Sequence, residues 1–199
     1  MCGRFTLRTS ARDVAEEFGL IEVPDLFPRY NIAPTQPVPV VRKPRQLDFL
    51  RWGLIPPWAD DPKIGSRMIN ARAETVATTP AFRRAFQTRR CLVIADGFYE
   101  WQNRVPFLIH RRDHRPFAFA GLWDRWKGID SCTIITTDPN DLIRPLHDRM
   151  PVILAPEDYD RWLATPDQSL LRTYGADDLA FEPLERPLTP DPLPLTPDP

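Results

Sequence analysis

CLVIADGFYEW, residues 91–101, is the stretch whose reading decides how this chain is built. Its first half is apolar and β-branched, the composition of a buried strand. Its second half is aromatic, and Gly97 marks a turn or bulge between the two. Glu100 lies in the aromatic half, between Tyr99 and Trp101. A carboxyl among aromatic rings loses hydration, which raises its pKa and suits it to moving protons near neutral pH. On an alternating strand the same glutamate would face water instead, and the pattern alone leaves both readings open. Cys91 reads as a packed thiol.

Similar runs lie on both sides: PVPVVR (37–42), LDFLRWGLI (47–55), PFLIH (106–110), PFAFAGLW (116–123), SCTIITT (131–137) and MPVIL (150–154). Helical signals are fewer. TSARDVAEEFGL (9–20) offers Ser10 as N-cap, Val14 and Phe18 on one face, and Gly19 as a stop. TTPAFRRAF (78–86) sets Phe82, Ala85 and Phe86 on one face behind Pro80. APEDYDRWLAT (155–165) places Pro156 and two acids in a first turn. Strands outnumber helices without alternating with them, so the expected class is α+β, with a mainly antiparallel, curled, open barrel-like sheet flanked by short helices. The 24 prolines fit such short elements. No βαβ rhythm, GxGxxG or P-loop is present, so no nucleotide cofactor is expected. Residues 1–185 are expected to form a single domain. Residues 186–199, where LTPDP occurs at 188–192 and again at 195–199, are expected to be a Pro-rich disordered tail.

Hydrophobic residues make up 42% and charged residues 27% of the chain, as in an ordinary globular protein. Formal net charge is −1. Residues 176–199 carry six acids and one base, which leaves 25 bases against 21 acids in residues 1–175. That mild basicity permits a nucleic-acid partner without establishing one. No run is long and apolar enough to cross a bilayer and the first residues do not resemble a signal peptide, so a cytoplasmic location is expected. Cys2, Cys91 and Cys132 are odd in number and lack CxxC or Cys/His spacing, so neither a disulfide framework nor a metal site is expected.

Four further places carry candidate chemistry. Removal of the initiator methionine would leave Cys2 with an amine and a thiol on one residue, a 1,2-aminothiol able to close a thiazolidine ring on an aldehyde. Reference pKa values of about 7.7–8.0 for the amine and about 8.5 for the thiol leave both nucleophilic near neutral pH after small environmental shifts. A small residue at a frayed terminus is the plain alternative. His147 precedes a buried strand with Arg149 and is suited to shuttling protons, or is simply a structural histidine. Asn70 and Arg72, two residues apart, share a side if extended and together could orient a sugar and clamp a phosphate. Asn31, Pro34, Trp52 and Trp58 supply rigid apolar material near arginines, fit to stack on bases or to fill a core.

MCGRF (1–5), YNIAPTQ (30–36), RWGLIPPWA (51–59), NARAET (70–75), CLVIADGFYEW and HDRMPVIL (147–154), in that order, closely resemble the SRAP family, the SOS-response-associated peptidases. The resemblance runs from the first residue to about residue 165. It implies a protein of the DNA damage response that senses abasic sites in single-stranded DNA and crosslinks to them covalently as a thiazolidine, with no cofactor. By the same resemblance, Cys2 is the nucleophile, Asn70 positions its amine and the opened sugar, Glu100 transfers protons, and His147 assists ring opening. Arg4, Arg72 and Arg149 grip phosphates, while Pro34, Trp52 and Trp101 support a kinked strand by packing or stacking. The expected partner is single-stranded DNA containing abasic sites, with no membrane, and the chain is expected to act as a monomer. Two other activities stay open: a cysteine peptidase using Cys2, including autoproteolytic removal of Met1, and a non-covalent single-strand binding module.

Overall fold

The computed structural model describes residues 2–22, 26–184, 188 and 191. In chain order the strands are β1 (Phe5–Leu7), β2 (Arg29–Ile32), β3 (Pro37–Lys43), β4 (Gln46–Trp52), β5 (Asn70–Arg72), β6 (Arg90–Ala95) and β7 (Gly97–Gln102). They continue with β8 (Val105–Arg111), β9 (Phe117–Trp126), β10 (Ile129–Thr137), β11 (Met150–Pro151), β12 (Ile153–Leu154) and β13 (Leu179–Pro183). Among the described residues, three short α-helices, α1 (Ala11–Phe18), α2 (Arg83–Thr88) and α3 (Tyr159–Ala164), lie between them. This is the expected α+β class, and the curl of the sheet goes to completion. β4, β3, β6, β9 and β10 each pair with the next, and β10 returns to β4, closing a five-stranded barrel. Only the closing β10–β4 pair is parallel. Further along β10, the partner changes from β4 to β5, also parallel.

Residues 91–101 form two strands in two sheets. β6, buried at every position, sits inside the barrel wall between β3 and β9. β7 belongs to a second, antiparallel sheet in the order β13-β8-β7-β1-β2. The crossing point is Asp96. Its carboxylate accepts from the Thr6 hydroxyl at 2.5 Å, the Thr9 amide at 2.7 Å and the Thr9 hydroxyl at 2.9 Å, and also from the Arg8 amide. A buried carboxylate with that many donors is well compensated for lost hydration. Gly97 follows because a side chain has no room there: an added Cβ would lie 2.8 Å from Leu108 Cδ1 and 2.9 Å from Thr6 Oγ1.

Both sheets share one core. Phe5 from β1 meets Trp52 and Phe119 edge-on, and Phe98 from β7 meets Phe119, at ring separations of 5.0, 5.8 and 6.0 Å. α1 forms as its sequence predicts, with Ser10 accepting from the Asp13 amide and Gly19 ending the helix at φ 57°. The helix anticipated from Pro80 starts later, because residues 75–82 first make turns that return their amides to Thr75 and Thr79 carbonyls. Of the anticipated tail at 186–199, only Leu188 and Asp191 are among the described residues. Among the described residues, no helix is long and apolar enough to cross a membrane.

Candidate active site

β1 brings the start of the chain to the site. Its pairing with β7 sets Phe5 opposite Phe98, and one step outward the Tyr99 amide donates to the Arg4 carbonyl at 3.0 Å. Cys2 is thereby carried past Tyr99 into the neighbourhood of Glu100, and it is fully buried. From the opposite side β5, aligned by its register with Ile134 to Thr136 of β10, delivers Asn70, whose Nδ2 donates to the Cys2 carbonyl at 3.0 Å. Residues 2 and 70 thus meet through the barrel rim, although nothing local in the sequence links them.

Glu100 is only 2% exposed. Burial pushes its carboxyl up to about 7, while the positive charge at the chain's amino terminus pulls the other way. The two readings that the sequence left open are thereby decided: the side chain is in the interior and does not face water. The Cys2 thiol is pushed far above its ordinary range, first by burial and then by the nearby Glu100 charge. The expectation of a thiol needing only a small shift therefore gives way to a protonated thiol beside a carboxyl that titrates near neutrality.

His147 is partly buried, and its Nδ1 lies 3.0 Å from the Arg149 amide. Exposed Asp148 approaches the same nitrogen at 2.8 Å. Burial, then the amino-terminal charge, lowers the His147 pKa, with Asp148 opposing, so the ring is neutral at pH 7.

The residues anticipated as DNA contacts separate into two groups. Arg4, Pro34, Arg72 and Trp101 retain accessible surface; Arg72 is exposed and Trp101 is 39% exposed. Arg4 is steadied by the Asn31 side chain at 3.0 Å, a partner not singled out for that role from sequence, although an amide alternating with apolar residues in YNI is its trace. Trp52, expected to pack or to stack, is fully buried. Its ring lies against Phe5 and its Nε1 donates to the Ile69 carbonyl at 3.0 Å, so of packing and stacking only packing is open to it. Arg149 is already engaged: it holds both Glu74 carboxylate oxygens, at 2.8 and 3.0 Å, and reaches Asp138 and the Thr136 carbonyl. A phosphate at Arg149 would have to displace that bidentate pair. Trp58 is 57% exposed on a loop fixed by Gly53 at φ 121°, where a Cβ would fall 2.5 Å from the Gly65 carbonyl oxygen. Cys91 and Cys132 are buried and free, as read from sequence.

The fold matches that of solved structures. A crystal structure of a Bacteroides thetaiotaomicron protein superposes with a TM-score of 0.85 at 27% identity, over 92% of each chain. One from Bordetella bronchiseptica gives 0.82 at 30% identity, over 93% of this chain and all of the other. The chain belongs to the SOS response associated peptidase (SRAP) family, whose model matches residues 1–188. It is 44% identical to the Bacillus subtilis abasic site processing protein YoqW over 90% of both chains. It is 32% identical to the Escherichia coli abasic site processing protein YedK, over 82% of this chain and 79% of the relative.

Proposed function

We propose that this protein processes abasic sites in single-stranded DNA by forming a thiazolidine crosslink through Cys2 once Met1 is removed. The observation that carries the reading is the buried cysteine held at its backbone by Asn70, beside a carboxyl whose pKa lies at about 7. The names of the relatives give the lesion, whose ring-opened form exposes an aldehyde.

The Cys2 amine adds to the aldehyde carbon, and loss of water gives the imine. The sulfur then attacks the imine carbon while the thiol proton leaves and the imine nitrogen gains one, closing the five-membered ring. The product is protein plus DNA minus water. A protonated thiol needs a proton acceptor at that moment, and Glu100 is poised for it because its carboxyl titrates near neutrality. Asn70 fixes the Cys2 backbone and thereby the direction of the amine. His147, whose pKa burial lowers, is in this reading the group that assists opening of the sugar ring, as a hydrogen-bonding partner of its oxygen.

Arg4 and Arg72 are the phosphate contacts of this reading, and Trp101 supplies a face for a base. Binding weakens with salt accordingly. All the named groups come from one chain, so a monomer suffices. The test is intact-mass spectrometry of the Met1-free protein with a single-stranded oligonucleotide carrying one abasic site. The expected product has the mass of protein plus DNA minus water and is absent for Cys2→Ala. A released peptide without any adduct would replace this reading with a peptidase.

A further inference from the structure

Among the described residues β2 is the outer strand of its sheet, paired only to β1, and the β1–β2 register is irregular between Phe5 and Leu7. Such an irregularity reorients the backbone of an edge strand. Here the consecutive amides of Tyr30 and Asn31 donate to a single carboxylate, that of Asp191, at 2.9 and 2.8 Å. Each amide takes one of its two oxygens, and the Arg29 guanidinium stands 3.9 Å away. The Asp191 side chain is 8% exposed. Two adjacent amides with a guanidinium behind them make an anion site that suits two oxygens of a phosphate equally well.

The surroundings are those of the proposed DNA path. The Asn31 side chain holds Arg4, and the Tyr30 ring is 58% exposed beside the amides. Three residues before Asp191, Leu188 lines a cavity of about 440 Å³ with Gly3, Arg4 and Trp101. The first LTPDP motif therefore puts its leucine beside Trp101 and its aspartate on the β2 amides, one of which belongs to Asn31, the partner of Arg4.

We propose that the Tyr30 and Asn31 amides with Arg29 form a phosphate subsite for single-stranded DNA, and that Asp191 occupies it when DNA is absent, so that the chain's own carboxylate competes with the strand. The proposal rests on the DNA reading above and adds to it a subsite and its internal competitor.

The test compares full-length protein with Asp191→Ala and Asp191→Asn. Affinity for an undamaged, fluorescein-labelled single-stranded oligonucleotide is measured by anisotropy, with a thermal melt to verify folding. Removal of the competitor tightens binding on the order of tenfold for Asp191→Ala, with Asp191→Asn between it and the parent chain. A second arm uses inorganic phosphate alone and follows the Tyr30 and Asn31 amide resonances. They shift saturably in Asp191→Ala and stay still in the parent chain at the same concentrations. Equal or weaker oligonucleotide binding by the folded variant would overturn the proposal and leave Asp191 as a strut for β2. Phosphate-responsive amides with no oligonucleotide binding by any of the chains would overturn the DNA reading together with the subsite's assignment to DNA.

Discussion

Asp96 and Glu100 lie four residues apart on the same stretch of chain, both nearly inaccessible to solvent, and the molecule treats them in opposite ways. Asp96, at the crossing between the sheets, is surrounded by donors from Thr6, Arg8 and Thr9. Glu100, beside Cys2, sits where burial outweighs the charge and hydrogen bond of the amino terminus and raises its carboxyl to about 7. A fully bonded carboxylate holds structure together, whereas a desolvated one near its midpoint exchanges protons. The strand thus carries its own structural control: same charge type, same burial, different company.

The comparison breaks most visibly in folding. Asp96→Ala strands several buried donors and is expected to cost about 3–5 kcal/mol in urea denaturation; a loss below about 1 kcal/mol would mean that those bonds do not hold the crossing. Glu100→Gln should instead act on chemistry, slowing crosslink formation roughly 10²- to 10⁴-fold in a gel-shift time course.

The same variant sharpens the contrast through pH. The folded Glu100 pKa, about 7, lies above its unfolded value of about 4, so the native state binds the extra proton between them. Stability associated with the protonated carboxyl is therefore fully present below about pH 4 and is lost as pH rises through about 7. Relative to wild type, Glu100→Gln should be equally stable at pH 4 and more stable by about 3 kcal/mol at pH 8, as measured by chemical denaturation at the two pH values. The smallest effect belongs to Trp101, next in sequence and 39% exposed. Trp101→Ala should weaken single-strand affinity by roughly tenfold in anisotropy titrations while leaving folding near wild type.

Local signals in the sequence were faithful where the physics is local. Ser10 and Gly19 bound α1 because capping is settled within a few residues, and the apolar runs became strands because period and branching act along the strand itself. The crossing at Asp96 was hidden, since Asp-Gly reads as a turn and the donors that fix it come from 87 to 90 residues away. The burial of Trp52 and the capture of Arg149 by Glu74 were hidden for the same reason. The motifs singled out Cys2, Asn70, Glu100 and His147 as candidates, and the structure brings Asn70 and Glu100 to Cys2; the face that Glu100 presents was undecidable from alternation alone, and its burial decides it.

The most direct test of Glu100 as proton acceptor is the pH dependence of the crosslinking rate, measured from pH 5.5 to 9 on Met1-free protein with an abasic single-stranded oligonucleotide. Wild type should rise through an inflection near 7, set by Glu100, before any contribution from the amine at about 7.7–8.0. Glu100→Gln should lose that inflection and keep only the later one. Superimposable profiles for the two proteins, differing by no more than a constant, would contradict the assignment.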